Sequence, residues 1–218
     1  YNLDLKWDFN PTSTELISLT AFYKLIKNPI SRIEVASAGG YLSYENIADK
    51  ATVAGVEVEI RKNLFVRPLS SAANGMNKLS FGLNGSYIYT NAKMPLATVT
   101  TGSQLEGAAP WIANFDLSHN FTKGNHSFIN TLVLNYVSDK IYTIGTQGYQ
   151  DIMEQGMMTL DFVSQAKLNK YVSLTLKARN LLNPSYKLSR KANESGEKVV
   201  LSDYKKGINI SLGVSCTF

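Results

Sequence analysis

The chain ends in Ile208-Asn-Ile-Ser-Leu-Gly-Val-Ser-Cys-Thr-Phe218, in which apolar and polar side chains alternate without a break. Because successive side chains of a β-strand point to opposite faces of a sheet, this alternation predicts a strand with one apolar and one polar face. The stretch also has the length of a strand that crosses a lipid bilayer at a tilt, which needs about 9–11 residues. It is therefore either a membrane-spanning strand or the last strand of a soluble sandwich.

Similar alternation recurs along the chain and predicts an all-β protein of about nine strands. No stretch predicts an amphipathic helix, and none approaches the ~18 consecutive apolar residues of a transmembrane helix. The predicted strands are Asn2–Phe9, Glu15–Lys27, Ala51–Lys62, Leu79–Tyr89, Trp111–Phe121, Ser127–Val137, Met158–Leu168, Tyr171–Asn180 and Ile208–Phe218. The second strand has the least certain register, because Leu16 and Phe22 fall on its polar side. The chain is expected to stay extended beyond it through Ile33, Val35 and Ala36.

Short and long connections alternate between these strands, which is typical of outer-membrane barrels with short periplasmic turns and long outside loops. Short turns are predicted at Asn10–Thr14, Thr122–Asn125 and Asn169–Lys170, and long loops at Thr90–Gly107, Ser138–Met157 and Leu181–Lys206. The connection Leu64–Asn77 is too long for its position and counts against the pattern. The combination favours an antiparallel transmembrane β-barrel over a sandwich. Since bacterial single-chain barrels have even strand numbers, about nine strands predict the closing part of a larger barrel.

Composition and residue spacing argue against several kinds of functional site. The net charge of +5 comes without a basic block, so no nucleic-acid-binding surface is predicted. The single cysteine, Cys216, cannot form an internal disulfide and is expected to act as a small apolar side chain. His119 and His126 flank one turn without further ligands at suitable spacing, so neither a metal nor a cofactor is predicted. Asp116 and Ser118 share a strand face that His119 does not, which argues against a catalytic triad.

Charged side chains mark the polar face of two predicted strands. Glu57, Glu59 and Arg61 follow one another on one of them, and Asn114 and Asp116 lie on the other. Consecutive charges on a strand face require water, so this face cannot lie in a dry core. These five residues are candidates for the water-filled wall of a barrel lumen. Direct contact with a ligand or with a plug is the alternative interpretation.

Several stretches resemble, in order and spacing, the carboxy-terminal barrel half of TonB-dependent outer-membrane receptors. The most specific are Gly55-Val-Glu-Val-Glu59 and Asn180-Leu-Leu-Asn183. The other stretches are Glu15–Lys24, Lys27–Ile30, Ala51–Lys62, Ala178–Pro184 and Ser211–Phe218. The resemblance covers essentially the whole chain and fits best the branch of carboxypeptidase-regulatory-like receptors and SusC-like glycan importers.

This resemblance implies a 22-strand barrel in the outer membrane of a Gram-negative bacterium, of which residues 1–218 are the carboxy-terminal portion. A plug domain and a TonB box are then expected upstream of Tyr1. The implied function is uptake of a scarce or large ligand, such as a siderophore, a glycan or a peptide, energised by TonB with ExbB and ExbD.

The resemblance further implies that Leu212, Val214 and Phe218 form the strand signal that the barrel-assembly machinery recognises. A surface lipoprotein is an additional partner that the sequence leaves open. The main alternative function is a passive outer-membrane channel or a structural subunit of a surface complex. A barrel enzyme is the third possibility, although no catalytic residue is predicted.

Overall fold

The computed structural model describes residues 1–35, 40–69, 75–92, 104–146, 148–192 and 196–217, and these residues form β-strands without an α-helix. Accordingly, no helix in the described part of the chain has the length and apolarity needed to cross a membrane. The strands are β1 (Asn2–Phe9), β2 (Leu16–Lys27), β3 (Ile30–Val35), β4 (Tyr41–Asn46), β5 (Lys50–Pro68), β6 (Met76–Ala92), β7 (Trp111–Lys123), β8 (His126–Val137), β9 (Lys140–Thr143), β10 (Ile152–Glu154), β11 (Met157–Lys167), β12 (Val172–Arg179), β13 (Ser185–Lys191), β14 (Lys198–Lys205) and β15 (Asn209–Cys216).

Nine strands form one antiparallel sheet, here called the main sheet, in the order β1-β2-β5-β6-β7-β8-β11-β12-β15. They coincide with the nine strands predicted from the sequence, so the all-β prediction is confirmed. Among the residues that the structure describes, the sheet does not close on itself, and β1 and β15 are its two edges. Four short connections lie at one end of the sheet and four long connections at the other, as the pattern of turns predicts.

The predicted loose connection Leu64–Asn77 is wrong. Strand β5 continues to Pro68 and β6 begins at Met76, so Phe65 to Pro68 pair with Met76 to Leu79. The register shifts between Asn63 and Phe65. A bulge of this kind adds one residue to a strand and interrupts its alternation of two, which hides the strand from a periodicity argument. The real connection is shorter and no longer contradicts the pattern of short turns.

One face of the main sheet is apolar from edge to edge. Leu83, Phe115, Leu134 and Leu160 are successive cross-strand partners on β6, β7, β8 and β11. Cross-strand pairs of this kind stabilise a sheet, and here they face outward. Leu212 on β15 is 70% exposed. A continuous exposed apolar surface of this breadth is unusual for a soluble monomer and suits a wall in contact with lipid.

The other six strands lie in the long connections at the opposite end from the short turns. Strands β3 and β4 form a hairpin, and a separate sheet has the order β14-β13-β10-β9. The expected continuation of β2 through Ile33 and Val35 is thus a separate strand, β3, that pairs with β4. Ala36 lies outside the described residues. We call these six strands and the segments that join them the loop cap.

The loop cap contains a dry core. Ile33, Ile47, Ile141 and Ile144 are all buried, and Met153 packs against them. These side chains come from two different long connections, and burying each one contributes roughly 1.5–3 kcal/mol. The packing therefore joins separate loops into one folded unit.

An ion pair and two hydrogen bonds join the other long connections to this unit. The Arg190 guanidinium donates to the Glu34 carboxylate, which links the β12–β15 connection to the β3–β4 hairpin. The backbone N–H of Arg32 donates to Glu106 Oε2 at 2.7 Å, which adds the β6–β7 connection. Thr146 Oγ1 donates to the carbonyl oxygen of Glu34. All four long connections are thus held together by contacts between residues far apart in sequence.

Candidate functional site

The structure places the five predicted wall residues on one face of the main sheet, opposite the apolar face. Glu57, Glu59 and Arg61 lie on β5, whereas Asn114 and Asp116 lie on β7. Strand β6 runs between them and pairs with both neighbours. Residues that were far apart in the sequence are therefore brought side by side on the polar face.

Four of the five residues line one small cleft of about 100 Å³. Arg61 Nε lies 2.7 Å from Glu59 Oε1, and the Asn114 amide donates to Asn84 Oδ1 at 3.4 Å. Glu57 lies outside the cleft. The lining residues are Glu59, Ile60, Arg61, Gly82, Leu83, Asn84, Asn114 and Asp116. Because charges of both signs and amides face the same cleft, this part of the polar face can bind water or a polar ligand.

Two glycines on the polar face make room for larger neighbours. A Cβ atom at Gly82 would overlap the carboxylate of Asp116, and one at Gly55 would overlap the ring of Phe22. Phe22 therefore lies on the polar face because its cross-strand partner leaves space for its ring. This explains why the register of β2 was uncertain in the sequence, where the partner of Phe22 is not visible.

A second and larger cleft, of about 380 Å³, lies where the polar face meets the loop cap. Sequence reasoning did not predict it, because its lining comes from four strands and two connections. The lining residues are Met157, Thr159, Asp161, Arg179, Asn180, Pro184, Tyr186, Lys206, Gly207 and Asn209. We call this site the β12–β13 cleft.

Hydrogen bonds around the Asn180-Leu-Leu-Asn183 motif hold the base of this cleft. The backbone N–H of Asn180 donates to Asp161 Oδ1 at 2.8 Å, and its side-chain amide donates to the carbonyl oxygen of Gly207 at 2.7 Å. The N–H of Gly207 in turn donates to Asn183 Oδ1 at 3.0 Å. Both asparagines have positive φ, 58° and 45°, a conformation that asparagine tolerates better than most residues. The motif thus fixes where the β12–β15 connection leaves and rejoins the sheet.

The charged groups of the β12–β13 cleft are only partly paired. The exposed side chain of Arg179 forms no hydrogen bond or ion pair with any residue that the structure describes. Lys206 Nζ lies 5.4 Å from the centroid of the Tyr186 ring. The Tyr186 hydroxyl donates to Glu154 Oε2 at 3.3 Å. Burial, together with the negative charge of Glu154, raises the pKa of Tyr186 from 10.0 to about 12. Tyr186 is therefore a neutral donor at physiological pH.

The candidate assembly residues lie on the edge strand β15. Leu212 and Val214 are 70% and 63% exposed on the apolar face, opposite Leu176 and Leu174 of β12. Phe218 lies outside the described residues. Edge position and apolar exposure together leave this strand available for pairing with another strand.

The residues considered for catalysis and metal binding lie apart. Ser118 Oγ is 3.1 Å from the Thr131 hydroxyl, and Asp116 shares that face. His119 lies on the opposite face, with its Nε2 2.8 Å from Asn77 Oδ1. The three side chains therefore do not converge as a triad requires. Within the described residues, no group of three or more His, Cys, Asp or Glu side chains is placed to hold a metal ion.

A family model described as TonB dependent receptor-like, beta-barrel, matches residues 1–181. The chain belongs to this family. The matched range contains eight of the nine strands of the main sheet, and the ninth, β15, pairs along the whole of β12. No curated protein and no solved structure matches the chain in the other two comparisons.

Family membership establishes the general character of this protein. It is an outer-membrane receptor or transporter, and its main sheet is part of a transmembrane β-barrel. The family interacts with TonB and with the membrane, and it consists of transport and receptor barrels rather than enzymes.

Proposed function

We propose that this chain is the carboxy-terminal barrel portion of a receptor that takes up a scarce or large ligand by TonB-dependent active transport. The observation that carries the proposal is the polar face of the main sheet, with Glu59, Arg61 and Asp116 around one cleft. In a barrel of this family, such a face suits a wide, water-filled lumen, which needs a plug to prevent leakage. Siderophores, glycans and peptides are all candidate ligands.

The proposal includes partners that act on other parts of the receptor. A plug domain and a TonB box precede residue 1, and TonB with ExbB and ExbD supplies the energy. The barrel-assembly machinery recognises the closing strand through Leu212, Val214 and Phe218. Exposure of Leu212 and Val214 on an edge strand supports this role. A surface lipoprotein is a further partner if the receptor belongs to the SusC-like branch.

Intact mass is the first test of the proposal. The native polypeptide that contains this chain should be purified from outer membranes and its denatured mass measured. A mass several times 24.1 kDa is expected, since a plug and further strands must be present. A mass near 24.1 kDa would contradict the proposal and favour a small pore or an assembly subunit.

Conductance in planar bilayers separates active transport from a passive channel. The full-length protein should be closed in the bilayer, and deletion of its plug domain should open a large conductance. The purified receptor should also bind the periplasmic domain of TonB. A full-length protein that conducts freely and does not bind TonB would be a passive channel, which is the alternative function.

Paired cysteine substitutions test the orientation of the proposed wall. In a Cys216→Ser background, Asp116→Cys and Glu59→Cys should react with a charged, membrane-impermeant thiol reagent in the plug-deleted barrel. Phe115→Cys and Val58→Cys are matched controls, because each is the neighbour on the opposite face. They should react only with a lipophilic reagent. The reverse labelling pattern would contradict the lumen assignment.

A further inference from the structure

The β12–β13 cleft has the size and composition of a ligand site. Its volume of about 380 Å³ falls in the range of roughly 300–1,000 Å³ that is usual for small-molecule pockets. Met157, Pro184 and the ring of Tyr186 give it an apolar lining. Polar groups from Thr159 and Asn209 face the same space. A site of this kind can hold an apolar or ring-shaped body and recognise a polar substituent on it.

The charges of the cleft select the substituent. Arg179 and Lys206 contribute two positive charges and Asp161 one negative charge, so 2 − 1 leaves one net positive charge. The Asp161 carboxylate already accepts the Asn180 N–H, whereas Arg179 has no partner among the described residues. An unpaired guanidinium presents a planar array of donors that matches a carboxylate in two parallel hydrogen bonds. One net charge suits a monoanion better than a phosphate dianion.

Hydrogen bonds at the base of this cleft hold its backbone in place without a ligand. Asn180 and Asn183 hold Gly207, next to Lys206, against the end of β12, which carries Arg179. The backbone segments that carry the two cations are therefore held together where the β12–β15 connection leaves and rejoins the sheet. A connection whose backbone is already held binds a ligand without first losing the entropy of ordering the loop.

We propose that the β12–β13 cleft binds a carboxylate-bearing ligand, with Arg179 and Lys206 holding the carboxylate and Tyr186 contacting the body beside it. This inference rests on the proposed receptor function and gives its ligand a chemical class. The carboxylate belongs either to a uronic acid or to the carboxy terminus of a peptide, since both present the same planar anion.

Binding to the full-length receptor in detergent tests the proposal without TonB. Calorimetry should compare the monoanion methyl galacturonoside with its methyl ester, and an N-acetylated tripeptide with its carboxy-terminal amide. Each neutral counterpart keeps the body of the probe and removes its charge. One acid should bind at least about tenfold more tightly than its neutral counterpart, because charge-assisted hydrogen bonds are the strong ones. Which acid binds identifies the source of the carboxylate.

Three variants connect that binding to the cleft. Arg179→Gln and Lys206→Gln should each weaken the acid about tenfold or more and leave the neutral probe unchanged. Lys177→Gln removes a positive charge from the same face outside the cleft and should bind like the wild type. The proposal is overturned if neither acid is preferred over its neutral counterpart, or if Lys177→Gln weakens binding as much as Arg179→Gln. Binding of the amide or ester alone, with TonB association intact, would refute only the ligand class and not the receptor function.

Discussion

Substitution of Leu212 by arginine tests the two faces of the main sheet directly. Leu212 lies in the middle of β15, on the apolar face, and 70% of its surface is exposed. An arginine on the lipid face near the bilayer midplane costs about 2–4 kcal/mol. That corresponds to a loss of about thirtyfold to several hundredfold in the folding equilibrium. Leu212→Arg should therefore severely impair folding in the membrane.

Ser211→Arg is the matched control, because Ser211 is the next residue and lies on the polar face. Its cross-strand partner is Lys177, so the new arginine meets a like charge. Directly opposed like charges cost roughly 0.2–1 kcal/mol, which sets the expected loss well below that of Leu212→Arg. Folding of the full-length barrel into lipid vesicles, followed by urea titration and by heat-modifiable gel mobility, measures both. Equal losses for the two variants would refute the assignment of lipid and lumen faces.

Three further predictions concern the polar face and the loop cap. Gly82→Val should destabilise the barrel in urea titrations by roughly 1–3 kcal/mol, because the new side chain overlaps the Asp116 carboxylate. Ile144→Ala should speed proteolysis of the loop cap without changing barrel mobility, since Ile144 is 1% exposed and such truncations cost about 2–5 kcal/mol. Tyr186 should ionise near pH 12 in an ultraviolet absorbance titration, because burial and the charge of Glu154 raise its pKa to about 12. Because its folded pKa is raised, its contribution to stability is complete below pH 10.0 and is lost as the pH rises toward about 12.

Each of these predictions has a control within the chain. Asp116→Ala should restore most of the stability that Gly82→Val removes, and failure to do so would mean that the overlap is not the cause. Ile30 lies on β3, as does Ile33 of the buried core, but Ile30 is 70% exposed. Ile30→Ala should therefore leave the rate of proteolysis unchanged. Replacing Glu154 with glutamine removes the nearby charge and should lower the pKa of Tyr186. If the pKa of Tyr186 does not change in this variant, burial rather than the charge of Glu154 is what raises it.

The main sheet could be predicted because each strand faces two different environments, and the sequence records both in its alternation. The prediction failed where one residue breaks that alternation. Leu64 lies at the register shift in β5, and the strand beyond it appeared to be a loop. The faces predicted for β2 were right, but Phe22 left the register uncertain, because the reason for its polar-face position is the absent side chain of Gly55 on the neighbouring strand. Periodicity along one strand carries no information about its partner.

The loop cap could not be predicted in the same way. Its strands are short, as in β10 with three residues, and too short to show a period. The ion pair between Glu34 and Arg190 joins residues 156 positions apart. The residues next to each of them in the sequence give no sign that the two will pair. The β12–β13 cleft has the same origin. Only the Asn180-Leu-Leu-Asn183 motif marked its position, and it did so through resemblance rather than through geometry.

The distribution of buried side chains separates the stability of the barrel from that of the loop cap. The nine buried apolar residues of the described chain lie in the long connections or at the strand ends next to them. The main sheet between the two ends depends on its hydrogen-bonded ladders and on contact with lipid, whereas the loop cap depends on its own dry core. Changes in the core of the loop cap therefore have little reason to disturb the main sheet. The surface that meets a ligand can consequently vary in sequence while the strands that must insert into the membrane stay intact.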